Sequence, residues 1–306
     1  MKFYHDKASR EKVDVSRSWV TMRPFFEVDK NGGVSVEFVW VLLSGSLGAC
    51  VGSFLNVVAW RTVHGRPWWG NERSRCDECG KPLSWPDLIP IVSFLVLRGR
   101  CRSCGKPFSS GYFLVEVAGA FIGVAVAWRW GFSWAALAGL VLGYGLLLNS
   151  LTDIYSGYVY DVFAWSPGVV VFLMRFAGGR EALFDGLSGA LLGFGVVAVI
   201  ILASRGGMGW GDAGLAGGMG AALGWKLMAV GLYSGFMIGG VTALVLLLAK
   251  RVTRKQALPL VPFLALGGLV AILAGPMALE YFGLEAGWPW MEQGGQFFSH
   301  HFQRFQ

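Results

Sequence analysis

The sequence predicts an all-α fold, a polytopic membrane helix bundle of about eight transmembrane helices with one small polar insertion near its start. Of the 306 residues, 54% belong to the hydrophobic set and only 15% are charged, which is more apolar surface than a soluble core of this size hides. The apolar residues are also gathered into runs, among them Phe38 to Ala59, Ala135 to Leu148, Leu187 to Ala203 and Val230 to Ala249. Such runs approach or reach the roughly 20 residues that cross a bilayer as helix. Helix is the required form, because hydrocarbon offers no partner to an unpaired backbone group. The 45 glycines fit a tightly packed bundle, where small residues let helices approach closely.

In chain order, residues 1–36 are mixed in charge and hold no compact apolar stretch ending at a small-residue cleavage site. They read as an extracytoplasmic tail, and the first apolar segment, 37–60, as a retained membrane anchor. A polar loop, 61–111, follows. The segments 112–129, 134–152, 158–175, 185–204, 212–224, 226–249 and 258–275 then form a membrane bundle over 112–275. The segment 212–224 is short, since about 13 residues rise only about 20 Å; it is expected to be tilted, re-entrant or supported by protein. The tail 276–306 is rich in Gly, Trp, Phe and His without periodicity.

Lys and Arg fix the orientation. The loop 61–111, Arg205 and the stretch 250–255 hold fourteen, against five on the opposite side outside the N-terminal tail, so the loop is expected to face the cytoplasm. The formal charge of +7 is therefore a topological signal toward the lipid bilayer and points to no nucleic-acid partner.

Within that loop, Cys76 and Cys79 form one CxxC pair and Cys101 and Cys104 a second, each leading into Gly-Lys-Pro (Gly80-Lys81-Pro82 and Gly105-Lys106-Pro107). Two such pairs can supply four thiolates in a tetrahedron, the donor set of a closed structural Zn2+ site. Zinc would also give a core-poor loop folding free energy. Two disulfides are the alternative if the loop faced an oxidising compartment. Cys50, inside the first apolar segment, reads as a small buried packing residue.

Ionisable groups bordering apolar segments are costly and so draw notice. Asp153 follows Leu151-Thr152, Asp161 lies eight residues on, and Asp212 closes Gly209-Trp210-Gly211-Asp212. Two carboxylates held close share one proton, so one can act as base on a water and the other as acid toward a scissile bond. Gly209 and Gly211 would let an extended substrate approach, and Trp210 could wall the site with Asp161 nearby. Two other readings stand beside this one. Each aspartate could cap the helix it begins, or the pair could relay protons in a transporter or scaffold.

The ordered set of motifs resembles the type IV prepilin peptidases, the leader peptidase/N-methyltransferase family of GxGD intramembrane aspartyl peptidases. The resemblance runs through Gly52-Ser53-Phe54-Leu55-Asn56-Val57-Val58 and the two CxxC pairs around Trp85-Pro86-Asp87-Leu88-Ile89-Pro90. It continues through Val115-Glu116, the Asp153 segment, Gly209-Trp210-Gly211-Asp212 and Pro262-Phe263-Leu264-Ala265. It implies a bacterial inner-membrane enzyme with Asp153 and Asp212 as catalytic pair at the cytoplasmic face. Such an enzyme removes the basic leader from prepilins or pseudopilins of pilus and secretion systems, and often methylates the new N-terminus with S-adenosylmethionine. No nucleotide fingerprint places that cofactor. Tyr155, Tyr160 and Gly214 depart from the family pattern, in which an acidic residue, Pro and Lys are usual. These departures keep open a degenerate member with only one activity.

Overall fold

The computed structural model describes residues 36–69, 73–76, 78–204, 208–253, 258–284, 286 and 288; the N-terminal tail lies outside them, as does most of the C-terminal one. The described chain contains ten α-helices: α1 Val36–Val63, α2 Val92–Val96, α3 Ser110–Trp130, α4 Trp134–Ser156, α5 Asp161–Met174, α6 Gly179–Ala203, α7 Trp210–Leu223, α8 Trp225–Leu248, α9 Val261–Leu273 and α10 Gly275–Tyr281. Strand-like pairing among the described residues is limited to two isolated bridges in the polar loop.

Each of the eight apolar segments is a helix, yet fewer than eight cross a membrane by length and composition. Among the described residues five stretches qualify, namely Phe38–Val63, Ser110–Trp130, Trp134–Ser156, Asp161–Ala203 and Trp225–Leu248, and the bent pair α9 and α10, angled by 62°, makes a sixth. Two physical causes account for the difference. α7 has 14 residues, and a helix of that length rises only about 21 Å, short of a hydrocarbon core of about 30 Å. α5 and α6 pass as one apolar stretch, but a 3-10 turn at Arg175–Gly178 separates them. Gly168 of α5 abuts Gly218 of α7, and Gly189 of α6 abuts Gly220. A straight helix would hold Gly168 and Gly189 roughly 30 Å apart, so α5 and α6 fold back and clasp α7 between them.

α7 is the centre of the bundle, with every residue from Asp212 to Leu223 buried. Its Gly, Ala, Leu and Met residues leave backbone against backbone. A Cβ at Gly218 would lie 2.5 Å from the Ala164 carbonyl oxygen, so only glycine permits that approach. Outward faces of the long helices stay apolar, as at Leu191, Val199, Leu202 and Leu248, which suits lipid contact.

A buried guanidinium closes the far end of α7. Arg175 Nη1 donates to Asp185 Oδ2 at 3.0 Å and to the Ala182 carbonyl at 2.8 Å, while Nε and Nη2 donate to the Ala222 carbonyl at 3.1 and 2.8 Å. A buried charge survives only when paired and hydrogen-bonded, and a cation is favoured at a helix C-terminus.

Cys50 differs from expectation, since it lies on an exposed face of α1. The face of α1 toward α3 is built from Gly45, Gly48 and Gly52, and a residue two positions past Gly48 points away from it.

Candidate active site

Asp153 sits in the last turn of α4 and Asp212 in the first turn of α7. Both are buried, with 8% and 9% of their surfaces exposed, and they are near enough to interact electrostatically. Each carboxylate meets a helix N-terminus. Asp153 Oδ2 accepts from the backbone N–H of Val261, the first residue of α9, at 3.2 Å. Asp212 is the third residue of α7, and its carboxylate faces the amide of Gly209, the N-cap. Helix N-termini present unpaired N–H groups that suit an anion. Neither aspartate is the N-cap of a helix that it begins, since Gly209 is the N-cap of α7 and Asp153 lies inside α4. Asp212 begins a helix, whereas Asp153 ends one and serves the start of another far along the chain.

The neighbours separate by place. Gly211 packs on Val159, whose Cβ would lie 2.7 Å from a Cβ at position 211, so a larger residue there would push α7 off the start of α5. Gly209 and Trp210 are exposed, Trp210 by 58%, beside the buried Asp212. Asp161 is exposed at the first position of α5. At the position where the family usually has Lys, a Cβ on Gly214 would lie 3.0 Å from Trp165 Nε1, so the Trp165 indole occupies that space. Tyr155 donates from its hydroxyl to Asn56 Oδ1 and thereby joins α4 to α1, and Tyr160 is the N-cap residue of α5.

Glu116 joins the polar loop to this bundle. From α3 it accepts from Ser53 Oγ of α1 at 2.9 Å and from the Ile91 backbone N–H at 2.7 Å. Ile91 adopts φ of 64°, a strained turn for a β-branched residue. The sequence signal was an acidic residue inside an apolar helix, visible without its partners.

The four cysteines converge, with the Sγ atoms of Cys76, Cys79, Cys101 and Cys104 all within 4.8 Å of one another. Cys76 and Cys104 Sγ are 3.9 Å apart, close to the edge of about 3.8 Å that a tetrahedron with Zn–S bonds of about 2.3 Å requires. Two matching turns deliver them. Cys76 N–H donates to the Lys81 carbonyl and Gly80 N–H to the Cys76 carbonyl, and Cys101, Lys106 and Gly105 repeat the pattern. Gly80 and Gly105 have φ of 67° and 71°, the conformation glycine adopts without strain. The Cys104 and Ser103 amides draw the Cys101 thiol down to about 7. This cluster can hold a metal ion. Asp87, between the pairs, is engaged by Ser84 and by Arg102 Nε at 2.8 Å, and these hydrogen bonds, Ser84's foremost, hold it below the usual carboxylate range.

Known proteins supply independent findings. Residues 46–130 match the model of the bacterial peptidase A24 N-terminal domain, and residues 140–248 match the type IV leader peptidase family. A prepilin leader peptidase/N-methyltransferase of Stutzerimonas stutzeri is 32% identical over 268 residues, covering 79% of this chain and 93% of that protein. One from Pseudomonas aeruginosa is also 32% identical over 268 residues, covering 79% and 92%. One from Bacillus subtilis is 29% identical over 260 residues, covering 81% and 97%. No solved structure matches the chain. The all-helical, multi-pass membrane architecture and these likenesses agree, and the chain belongs to the type IV prepilin leader peptidase family.

Proposed function

We propose that this chain is an aspartyl endopeptidase of the bacterial inner membrane. In this reading it removes the basic leader from prepilins or pseudopilins at the cytoplasmic face and methylates the new N-terminus with S-adenosylmethionine. The observation that carries the peptidase reading is the convergence of Asp153 and Asp212, buried and mutually interacting at the ends of α4 and α7. Relatives named for both activities support the pairing of peptidase with methyltransferase.

In the mechanism, Asp153 and Asp212 share one proton. The ionised carboxylate takes a proton from a water as its oxygen attacks the scissile carbonyl; the protonated partner hydrogen-bonds the carbonyl oxygen. Collapse of the tetrahedral intermediate breaks the C–N bond, and a carboxyl proton passes to the departing amine. The exposed Gly209-Trp210 edge, continued by the half-buried Gly211, is the side on which an extended peptide would enter, and Asp161 stands at the surface beside the start of α5. The apolar helix of a prepilin would lie in the lipid against the bundle, with its basic leader reaching the loop 61–111. Cys76, Cys79, Cys101 and Cys104 would hold a structural zinc ion, which cross-links that loop when bound.

The test is cleavage of a prepilin by the wild type, Asp153→Ala and Asp212→Ala, with folding followed by thermal melting. Loss of cleavage in each single variant with melting preserved is expected. A folded single variant that still cleaves would remove that aspartate from the dyad.

A further inference from the structure

Asn149 lies one turn before Asp153 on α4 and is fully buried. Its Nδ2 donates twice, at 2.8 Å to the Gly145 carbonyl of its own helix and at 2.8 Å to the Phe163 carbonyl of α5. The second bond has a specific cause. In a regular α-helix the Phe163 carbonyl would accept from the nitrogen of residue 167, but that residue is Pro167, which has no N–H to give. The Asn149 amide replaces the missing donor. Shape agrees with this, because the Pro167 ring seats on Gly145, where a Cβ would come within 2.5 Å of the proline Cβ. Proline, glycine and asparagine thus form one joint between α4 and α5.

That joint bears on the dyad through α5. The residues of α5 beside the joint are also those that meet α7: Ala164 lies on Gly218 and Trp165 on Gly214 and Gly217, while Val159 just before the helix lies on Gly211. α5 is therefore the spacer between the helix of Asp153 and the helix of Asp212. Asn149 keys it to one, and the glycines key it to the other. α4 and α7 touch each other sparsely, far less than each packs on α5, and the Asp153 carboxylate itself is held by α9.

We propose that Asn149 is a positioning residue of the peptidase site, which fixes the separation of Asp153 and Asp212 by supplying the Phe163 carbonyl with the hydrogen bond that Pro167 cannot make. This rests on the assignment of those aspartates as the catalytic pair. A decisive feature follows from its cause: the need for Asn149 exists only while position 167 lacks an N–H.

The experiment compares wild type, Asn149→Ala, Pro167→Ala and the double variant, in detergent, by thermal melting and by steady-state cleavage of a prepilin. Asn149→Ala is expected to lower kcat by about 10- to 100-fold, as loss of alignment does, with KM changed less than about twofold. Pro167→Ala alone is expected to leave kcat near the wild-type value. The double variant is expected to regain most of the lost kcat, because alanine in place of Pro167 restores a backbone donor to the Phe163 carbonyl. A general loss of folded protein would not be reversed by a second substitution at that one position. If Asn149→Ala does not fold, the double variant decides: recovery of a folded, active protein supports the joint, and continued misfolding overturns it. The proposal is also overturned if Asn149→Ala keeps full kcat, or if the double variant is no better than Asn149→Ala. Failure of the underlying assignment appears separately, as retained cleavage in folded Asp153→Ala or Asp212→Ala.

Discussion

Gly168→Ala probes how closely α5 must lie on α7 for the site to work. A Cβ at Gly168 falls 2.5 Å from the carbonyl carbon and 2.6 Å from the Cα of Gly218. The obstacle is backbone, with no side chain to rotate aside. Carbon atoms in contact rest about 3.5–4.0 Å apart, so the two helices must part by roughly 1 Å. Overpacking of this kind costs about 1–3 kcal/mol. A shift of about 1 Å at the helix carrying Asp212 can lower turnover by about 100-fold. The control is Gly195→Ala on α6, where a Cβ meets nothing within 4 Å and alanine gains about 0.5–1 kcal/mol of helix propensity. Both variants would be purified in detergent, melted, and assayed for prepilin cleavage in single-turnover conditions. Gly168→Ala should melt lower and cleave far more slowly, while Gly195→Ala should match or exceed the wild type in melting. Equal behaviour of the two would refute the claim that the approach of α5 to α7 sets the site.

Other outcomes follow from the same structure. On the proposed zinc site, a chelator or Cys79→Ser should open the loop 61–111 to limited proteolysis while the helices keep their circular dichroism, because the four cysteines lie only on the two turns of that loop. Metal uptake by the metal-free protein should strengthen as pH rises through about 7, where the Cys101 thiol ionises; the thiolate is the ligand, so affinity must fall on the acid side, and chelator competition across that range measures it. Gly214→Lys should destabilise the protein by about 3 kcal/mol or more, since a buried cation would be left unpaired, and Trp165→Ala in the same chain should recover part of the loss by vacating the space beside Gly214. Glu116→Gln keeps an acceptor for Ser53 or Ile91, whereas Glu116→Ala abandons both; only the second should loosen the polar loop, seen as faster hydrogen exchange at Ile91.

The apolar runs made the eight long helices legible, because residues without polar alternatives must pair their backbone internally. The four-cysteine cluster was legible for a similar reason: two CxxCGKP turns allow few geometries other than the one seen at Cys76 and Cys101. What was hidden lay in partners distant along the chain. Asp153, just past the apolar segment 134–152, reads as able to cap a following helix, yet α4 runs through to Ser156, and the amide it serves is at Val261, 108 residues away. Nothing in the sequence near Arg175 reveals its partners, because the Ala222 carbonyl that it serves is 47 residues away. α10 was missed because Gly275-Pro276 after an apolar run reads as a stop, whereas the chain bends there by 62° and continues as helix.

The burial of α7 has a consequence for how the protein is made. From Asp212 to Leu223 α7 is buried and offers lipid no face, so its place depends on α5, α6 and α8 standing around it. Asp212 therefore reaches its working depth late in synthesis, and the Val261 amide that holds Asp153 emerges from the ribosome later still. On the proposed pairing of Asp153 with Asp212, a chain still being translated carries both aspartates before the Val261 amide that holds Asp153 has been made.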